Sequence, residues 1–88
     1  MRFIVCYDIS DNKKRTKVSK KLKAYGIRTQ YSVFEVETQM EVIIKLLEEV
    51  ESLLDPVDKF FVYPIDRKNV KRIKRLGQSA IPNLINYI

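Results

Sequence analysis

Asp8 follows the apolar run Phe3-Ile4-Val5-Cys6-Tyr7 and precedes a segment crowded with Lys and Arg. A carboxylate at a strand end beside cations is a candidate ligand for an oxygen-bound divalent ion, Mg²⁺ or Mn²⁺. One carboxylate alone makes a poor magnesium site, because the ion keeps waters and shares carboxylates with substrate phosphates. Two copies of Asp8 meeting near the two-fold axis of a homodimer would make a site that neither chain has by itself. Such carboxylates repel unless a cation lies between them, so metal binding competes with protonation and is favoured at mildly alkaline pH. The chemistry open to that arrangement is phosphodiester cleavage, with the metal lowering the pKa of bound water and neutralising developing charge. The bland alternative is an ordinary strand-end or helix-capping aspartate, the commoner fate of an isolated one.

The residue types that are missing narrow the chemistry further. The chain of 88 residues has no histidine, which removes imidazole acid–base catalysis, Ser-His and Cys-His nucleophile pairs and His-ligated metals. Cys6 is the single cysteine, so neither an intrachain disulfide nor a thiolate zinc cluster is expected. Inside an apolar run it reads as a small hydrophobe. Arg15, Lys17 and Arg28 are candidates for holding phosphates, arginine giving the bidentate grip, and Lys13 and Lys14 add charge beside them. Plain solvent exposure is the alternative for each. Tyr7, Tyr31 and Phe34 either stack on bases or, as strand aromatics more often do, fill the core. Gly26 and Gly77 are the only glycines, so a glycine-rich phosphate loop is excluded, and the RNP1 pattern of RNA-recognition motifs is absent.

The net charge of +6 is divided into blocks of +7 over residues 1–34, −7 over 35–66 and +6 over 67–88. Two basic segments around an acidic one predict either a polyanion-binding face beside an acidic face, or simply solvated surfaces. The length allows one domain with a modest core, so oligomerisation is expected. A composition of 45% hydrophobic and 32% charged residues is far from disordered, collagen-like or membrane chains. No apolar run approaches the ~20 residues of a membrane helix. The apolar start is cut by Asp8 too soon for a signal-peptide core. A cytoplasmic protein with no membrane partner is expected.

The elements that would position these residues follow from periodicity. Phe3–Ile9 reads as a central strand covered on both faces. Asp11 or Asn12 then caps a helix whose apolar stripe is Val18, Leu22 and Tyr25, with Gly26 as its stop. Residues 27–37 read as extended, with a change of phase at Tyr31-Ser32 that predicts a bulge or two short strands. Met40, Ile43, Ile44, Leu47, Val50 and Leu54 mark a second helix with Glu41, Glu48, Glu49 and Glu51 on its solvent side, closed by Asp55-Pro56. Lys59–Ile65 is a further extended run, and Pro64 near its end argues for an edge or a strand terminus. Residues 70–76 fit a short helix or a strand equally well. The tail Ile81–Ile88 is too apolar for a free end and is expected to dock, with a partner chain one candidate. The order βαββαβ is that of the ferredoxin-like α+β sandwich, a four-stranded antiparallel sheet with both helices on one face.

Several segments together resemble the CRISPR-associated protein 2 family. Val5-Cys6-Tyr7-Asp8-Ile9-Ser10-Asp11 is similar to its first strand and Arg15-Thr16-Lys17-Val18 to its first helix. Gly26-Ile27-Arg28-Thr29-Gln30-Tyr31-Ser32-Val33-Phe34-Glu35 is similar to its most recognisable segment, and Asp58–Ile65, with Tyr63-Pro64, to its later strand. The resemblance runs from about residue 2 to residue 77. It implies a ferredoxin-like domain over 1–77 and a tail over 78–88 that adds a strand to the partner's sheet in a homodimer. It implies that Asp8 binds divalent metal across the dimer axis, and that Arg15, Arg28 and Phe34 matter for cleavage. Lys17 stands where some members have arginine, which keeps the charge and weakens bidentate contact. The family's roles would then be metal-dependent endonuclease, acting on single-stranded RNA or double-stranded DNA, and bridge in CRISPR spacer acquisition beside the integrase, CRISPR-associated protein 1. The second role does not need the first.

Overall fold

In a computed structural model of the chain, residues 1–77 are described. The expected tail over 78–88 lies outside them. The elements run β1 (Arg2–Asp8), α1 (Asn12–Lys23), β2 (Gly26–Gln30), β3 (Val33–Glu37), α2 (Met40–Glu51), β4 (Lys59–Ile65) and a single turn, α3 (Arg67–Val70). β1 lies inside an antiparallel sheet of order β2-β3-β1-β4. The register sets Phe3 opposite Val36 and Pro64, Val5 opposite Phe34 and Val62, and Tyr7 opposite Phe60. Because side chains alternate along a strand, this set shares one face. Against it pack Val18 and Leu22 of α1 and Ile43, Leu46 and Val50 of α2. The ferredoxin-like sandwich expected from the sequence is the fold observed. Pro64 sits on β4, an edge strand, where its missing N–H leaves no ladder bond unmade on the open side.

Several local expectations are corrected, while the Asp11 cap and the break at Tyr31-Ser32 are as expected. β1 is covered fully on one face and partly on the other: pointing away from the helices, Arg2 is buried, Ile4 and Cys6 are half-buried and Asp8 is exposed. Asp11 is the N-cap of α1, accepting the Lys14 N–H at 2.9 Å. The helix ends at Lys23, so Tyr25 falls off the helical period and is exposed, and Ser19 joins the buried stripe instead. Gly26 is the first residue of β2 and not a helix stop. A Cβ there would collide with the carbonyl oxygen of Glu35 and lie 2.8 Å from the Cα of Val36, so its role is close strand approach. On α2 the buried stripe is Ile43, Leu46 and Val50, and Met40, Ile44 and Leu47 face outward. The phase change at Tyr31-Ser32 is a turn between two strands, with a register shift between Arg28 and Gln30.

Beyond α3, residues 71–77 form neither helix nor strand. Arg75 nevertheless reaches back to the sheet face the helices leave uncovered. Its Nη1 and Nη2 each donate to a Glu35 carboxylate oxygen at 2.6 Å. Arg2 donates from Nη1 to Glu35 at 3.3 Å and from Nε to Glu37 at 2.8 Å. Arg2 and Glu35 are both buried, so this part of the second basic segment is a clasp and not a solvated surface. Among the described residues, no helix is long and apolar enough to cross a membrane.

Candidate functional site

Helical spacing sorts the cations of α1 onto different faces. Lys14 and Lys21, two turns apart, point to acidic neighbours: Lys14 Nζ donates to Asp55 at 2.7 Å and Lys21 Nζ to Glu49 at 3.0 Å. The hydrogen bond from Lys14 to Asp55 pushes the lysine's pKa above its ordinary value, against a smaller opposing effect of desolvation. Lys13 and Lys17 are exposed on the outer side. Arg15, Lys20 and Lys23 turn the other way and line an open cleft of ≈ 290 Å³ with Arg28 and Tyr31. Four cations and no carboxylate border it.

Both arginines are held in place. Arg15 donates from Nη1 to the Ile9 carbonyl at 2.8 Å and from Nη2 to Asn12 Oδ1. Arg28 donates from Nη2 to Ser19 Oγ, and its guanidinium lies over the Phe34 ring, 5.4 Å from the centroid. Phe34 itself is fully buried and stacks on Tyr7 with ring centroids 6.3 Å apart; Tyr7 stacks on Phe60 at 6.2 Å. Of the three aromatics weighed as base-stacking residues, Tyr7 and Phe34 are core. Tyr31, at the β2–β3 turn, is 93% exposed.

Asp8 stands apart from this cleft. Alternation along β1 sets it on the uncovered sheet face with Ile4 and Cys6, opposite Lys59 of β4. It is exposed, and its carboxylate has no hydrogen bond or ion pair among the described residues. Among those residues no group of three or more His, Cys, Asp or Glu side chains gathers as a metal site. The donor chemistry of Asp8 fits one oxygen ligand of a divalent ion that keeps its waters, and one chain supplies only that one. The cleft and Asp8 share a single loop, because Arg15 grips the carbonyl of the next residue, Ile9. Asp58 fixes the same loop from the far side: it accepts the Ser10 N–H and Oγ–H, both at 3.2 Å, and the Asp55 N–H at 2.9 Å. These bonds, that from Asp55 foremost, outweigh desolvation and hold the Asp58 carboxyl below its ordinary value.

The structure thus brings Arg15 and Arg28 together and sets Phe34 beneath Arg28. It leaves Lys13, Lys14 and Lys17 outside the cleft and puts Asp8 on the opposite sheet face. The cleft residues Ser19, Lys20 and Lys23 were not singled out from the sequence. Their signal was present in the spacing, since Ser19 and Lys23 follow Arg15 at one and two helical turns.

The family model described as CRISPR associated protein Cas2 matches residues 1–73. CRISPR-associated endoribonuclease Cas2 4 of Rhodospirillum rubrum is 41% identical over 64 residues, covering 72% of this chain and 52% of that protein. The chain therefore spans about half the length of that relative. A CRISPR-associated endoribonuclease Cas2 of Thermus thermophilus is 33% identical over 82 residues, covering 92% of this chain and 87% of that protein. The crystal structure of Streptococcus pyogenes Cas2 at pH 6.5 matches with a TM-score of 0.78 and 25% identity, covering 88% of this chain and 100% of that one. With this sheet order, this matched span and these relatives, the chain belongs to the CRISPR associated protein Cas2 family.

Proposed function

We propose that this chain is a cytoplasmic CRISPR adaptation protein that acts as a homodimeric, Mg²⁺-dependent endonuclease on single-stranded RNA or double-stranded DNA. The observation that carries the reading is Asp8, exposed and unpaired among the described residues on the uncovered sheet face. Ile4, Cys6, Phe61 and Tyr63 share that face, and Phe61 and Tyr63 are each half exposed. A second copy packed on this apolar patch brings its own Asp8 toward the first, supplying the ligand one chain lacks. Mg²⁺, or Mn²⁺ in its place, would supply an activated water and neutralise charge on the phosphate. Arg15 and Arg28 hold phosphate oxygens, and the fixed guanidiniums cost little ordering when they do so. The relatives named endoribonucleases support the activity, and a partnership with the integrase, CRISPR-associated protein 1, is what the resemblance in the sequence implies.

The test is incubation of pure protein with single-stranded RNA and duplex DNA in Mg²⁺, near neutral and at mildly alkaline pH, beside Asp8→Asn. Metal-dependent cleavage is expected in the wild type and is lost in the variant while the dimer persists. Cleavage retained by Asp8→Asn overturns the metal assignment. A second reading, a non-catalytic bridge between duplex DNA and the integrase, is favoured by one observation. Met40, Ile44 and Leu47 form an exposed apolar stripe on α2, a surface suited to a protein partner. Binding without cleavage in either protein selects it.

A further inference from the structure

The Tyr31 ring is almost wholly exposed, yet the turn that carries it is tied down on both sides. The neighbouring Ser32 carbonyl accepts the N–H of buried Tyr7 at 3.1 Å, and Thr29 Oγ donates to the Val33 carbonyl at 3.4 Å across the same turn. The register shift between Arg28 and Gln30 re-aims the strand just before it. The ring therefore stands at the edge of the cleft with both faces open to solvent, beside the four cations Arg15, Lys20, Lys23 and Arg28. Lys20 and Lys23 have no ion-pair partner among the described residues, in contrast to Lys14 and Lys21.

We propose that this cleft is a subsite for an unpaired nucleotide, with the base stacked on Tyr31 and its flanking phosphates on Lys20 and Lys23 beside the anchored arginines. Cations without carboxylates select the polyanionic backbone. An exposed aromatic adds something a phosphate cannot use, the π-face of a base. In a duplex those faces are occupied by neighbouring bases, so the platform discriminates in favour of single strands and splayed ends. The cleft is at the small end of ligand pockets, in keeping with one unit of a polymer. The proposal rests on the reading of this chain as a nucleic-acid-binding protein and adds to it a preference and the residue that sets it.

The test is fluorescence anisotropy of the full-length protein with labelled oligo(rU), oligo(dT), an abasic strand of equal length and a duplex. Tyr31→Ala should weaken binding to oligo(rU) or oligo(dT) by roughly five- to 150-fold. It should leave the abasic strand and the duplex unchanged, and Tyr31→Phe should retain wild-type affinity. The ribose and deoxyribose arms show which strand the subsite prefers. Lys20→Ala combined with Lys23→Ala should weaken all four ligands and flatten the salt dependence. Unchanged single-strand affinity in Tyr31→Ala, or equal losses on the abasic strand and the duplex, overturns the subsite while the nucleic-acid reading stands. Absence of any wild-type binding overturns both.

Discussion

Phe34 lies fully buried between Tyr7 and the guanidinium of Arg28, so it acts on the cleft from below without lining it. Truncating such a ring to Ala costs about 3–5 kcal/mol, against a total stability of roughly 5–15 kcal/mol for ordinary domains. Phe34→Ala is therefore expected to lose its cooperative urea transition, or most of its midpoint, together with any nucleic-acid activity. Phe34→Leu keeps an apolar filling and removes the π-face under Arg28 together with the stacking on Tyr7. It should stay folded in the same urea titration, so a fall in nucleic-acid affinity in this variant reports on these ring contacts. The sequence left Phe34 open between core and stacking platform, and the same was true of Tyr7 and Tyr31. Composition cannot separate these roles, because all three stand in or beside extended segments. Only the register and the turn, which point two rings inward and one outward, decide.

At the scale of elements, Gly26 and Asp58 govern how β2 and the β1–α1 loop are seated. Gly26→Ala forces a methyl group into the β3 backbone, which cannot move as a side-chain end can. Overpacking typically costs about 1–3 kcal/mol, and the upper part of that range is expected here as a lower denaturant midpoint. Acid should loosen the same framework. The carboxyl of Asp58 is lowered in the folded chain by its bonds to Asp55 and Ser10. Glu37 is lowered too: burial acts to raise it, but hydrogen bonds from Arg2 and the N-terminal ammonium prevail. The unfolded chain therefore takes up these protons at higher pH than the folded one. Their contribution is present above the ordinary values of 3.8 and 4.5 and is lost as pH falls through the lowered ones. A melting temperature followed down the acid range should fall below these values, and Asp58→Ala should melt lower at neutral pH with a shallower acid slope. The helices were legible from their apolar spacing, but the face of α2 was not. Apolar residues occupy two of its sides, and periodicity alone does not say which one meets the sheet.

For the whole molecule, the decisive asymmetry is a sheet with both helices on one side. The order βαββαβ made that architecture readable, whereas the cleft depends on contacts between α1 and a distant turn that no local pattern encodes. The uncovered face bears on the proposed homodimer. Changing Phe61 and Tyr63 together to Asp puts charge into the apolar patch, and sedimentation of this variant should show a monomer where the wild type sediments as a dimer. Binding to nucleic acid should fall steeply with salt, with a slope of roughly −0.9 per phosphate neutralised on a duplex; a flat response would argue against both functional readings. The clasp of Arg2, Glu35 and Arg75 on that same face has a consequence for how the protein can evolve. Removing Glu35 alone takes one acceptor from buried Arg2, which keeps Glu37, and both carboxylate bonds from Arg75, a loss of about 3–5 kcal/mol for broken buried pairs. An apolar replacement of the whole cluster is far milder, yet it is separated from the present sequence by these costly single steps. A single change at residue 35 is therefore expected to lower the denaturant midpoint more than a matched apolar replacement of the cluster, although its members lie far apart in the chain.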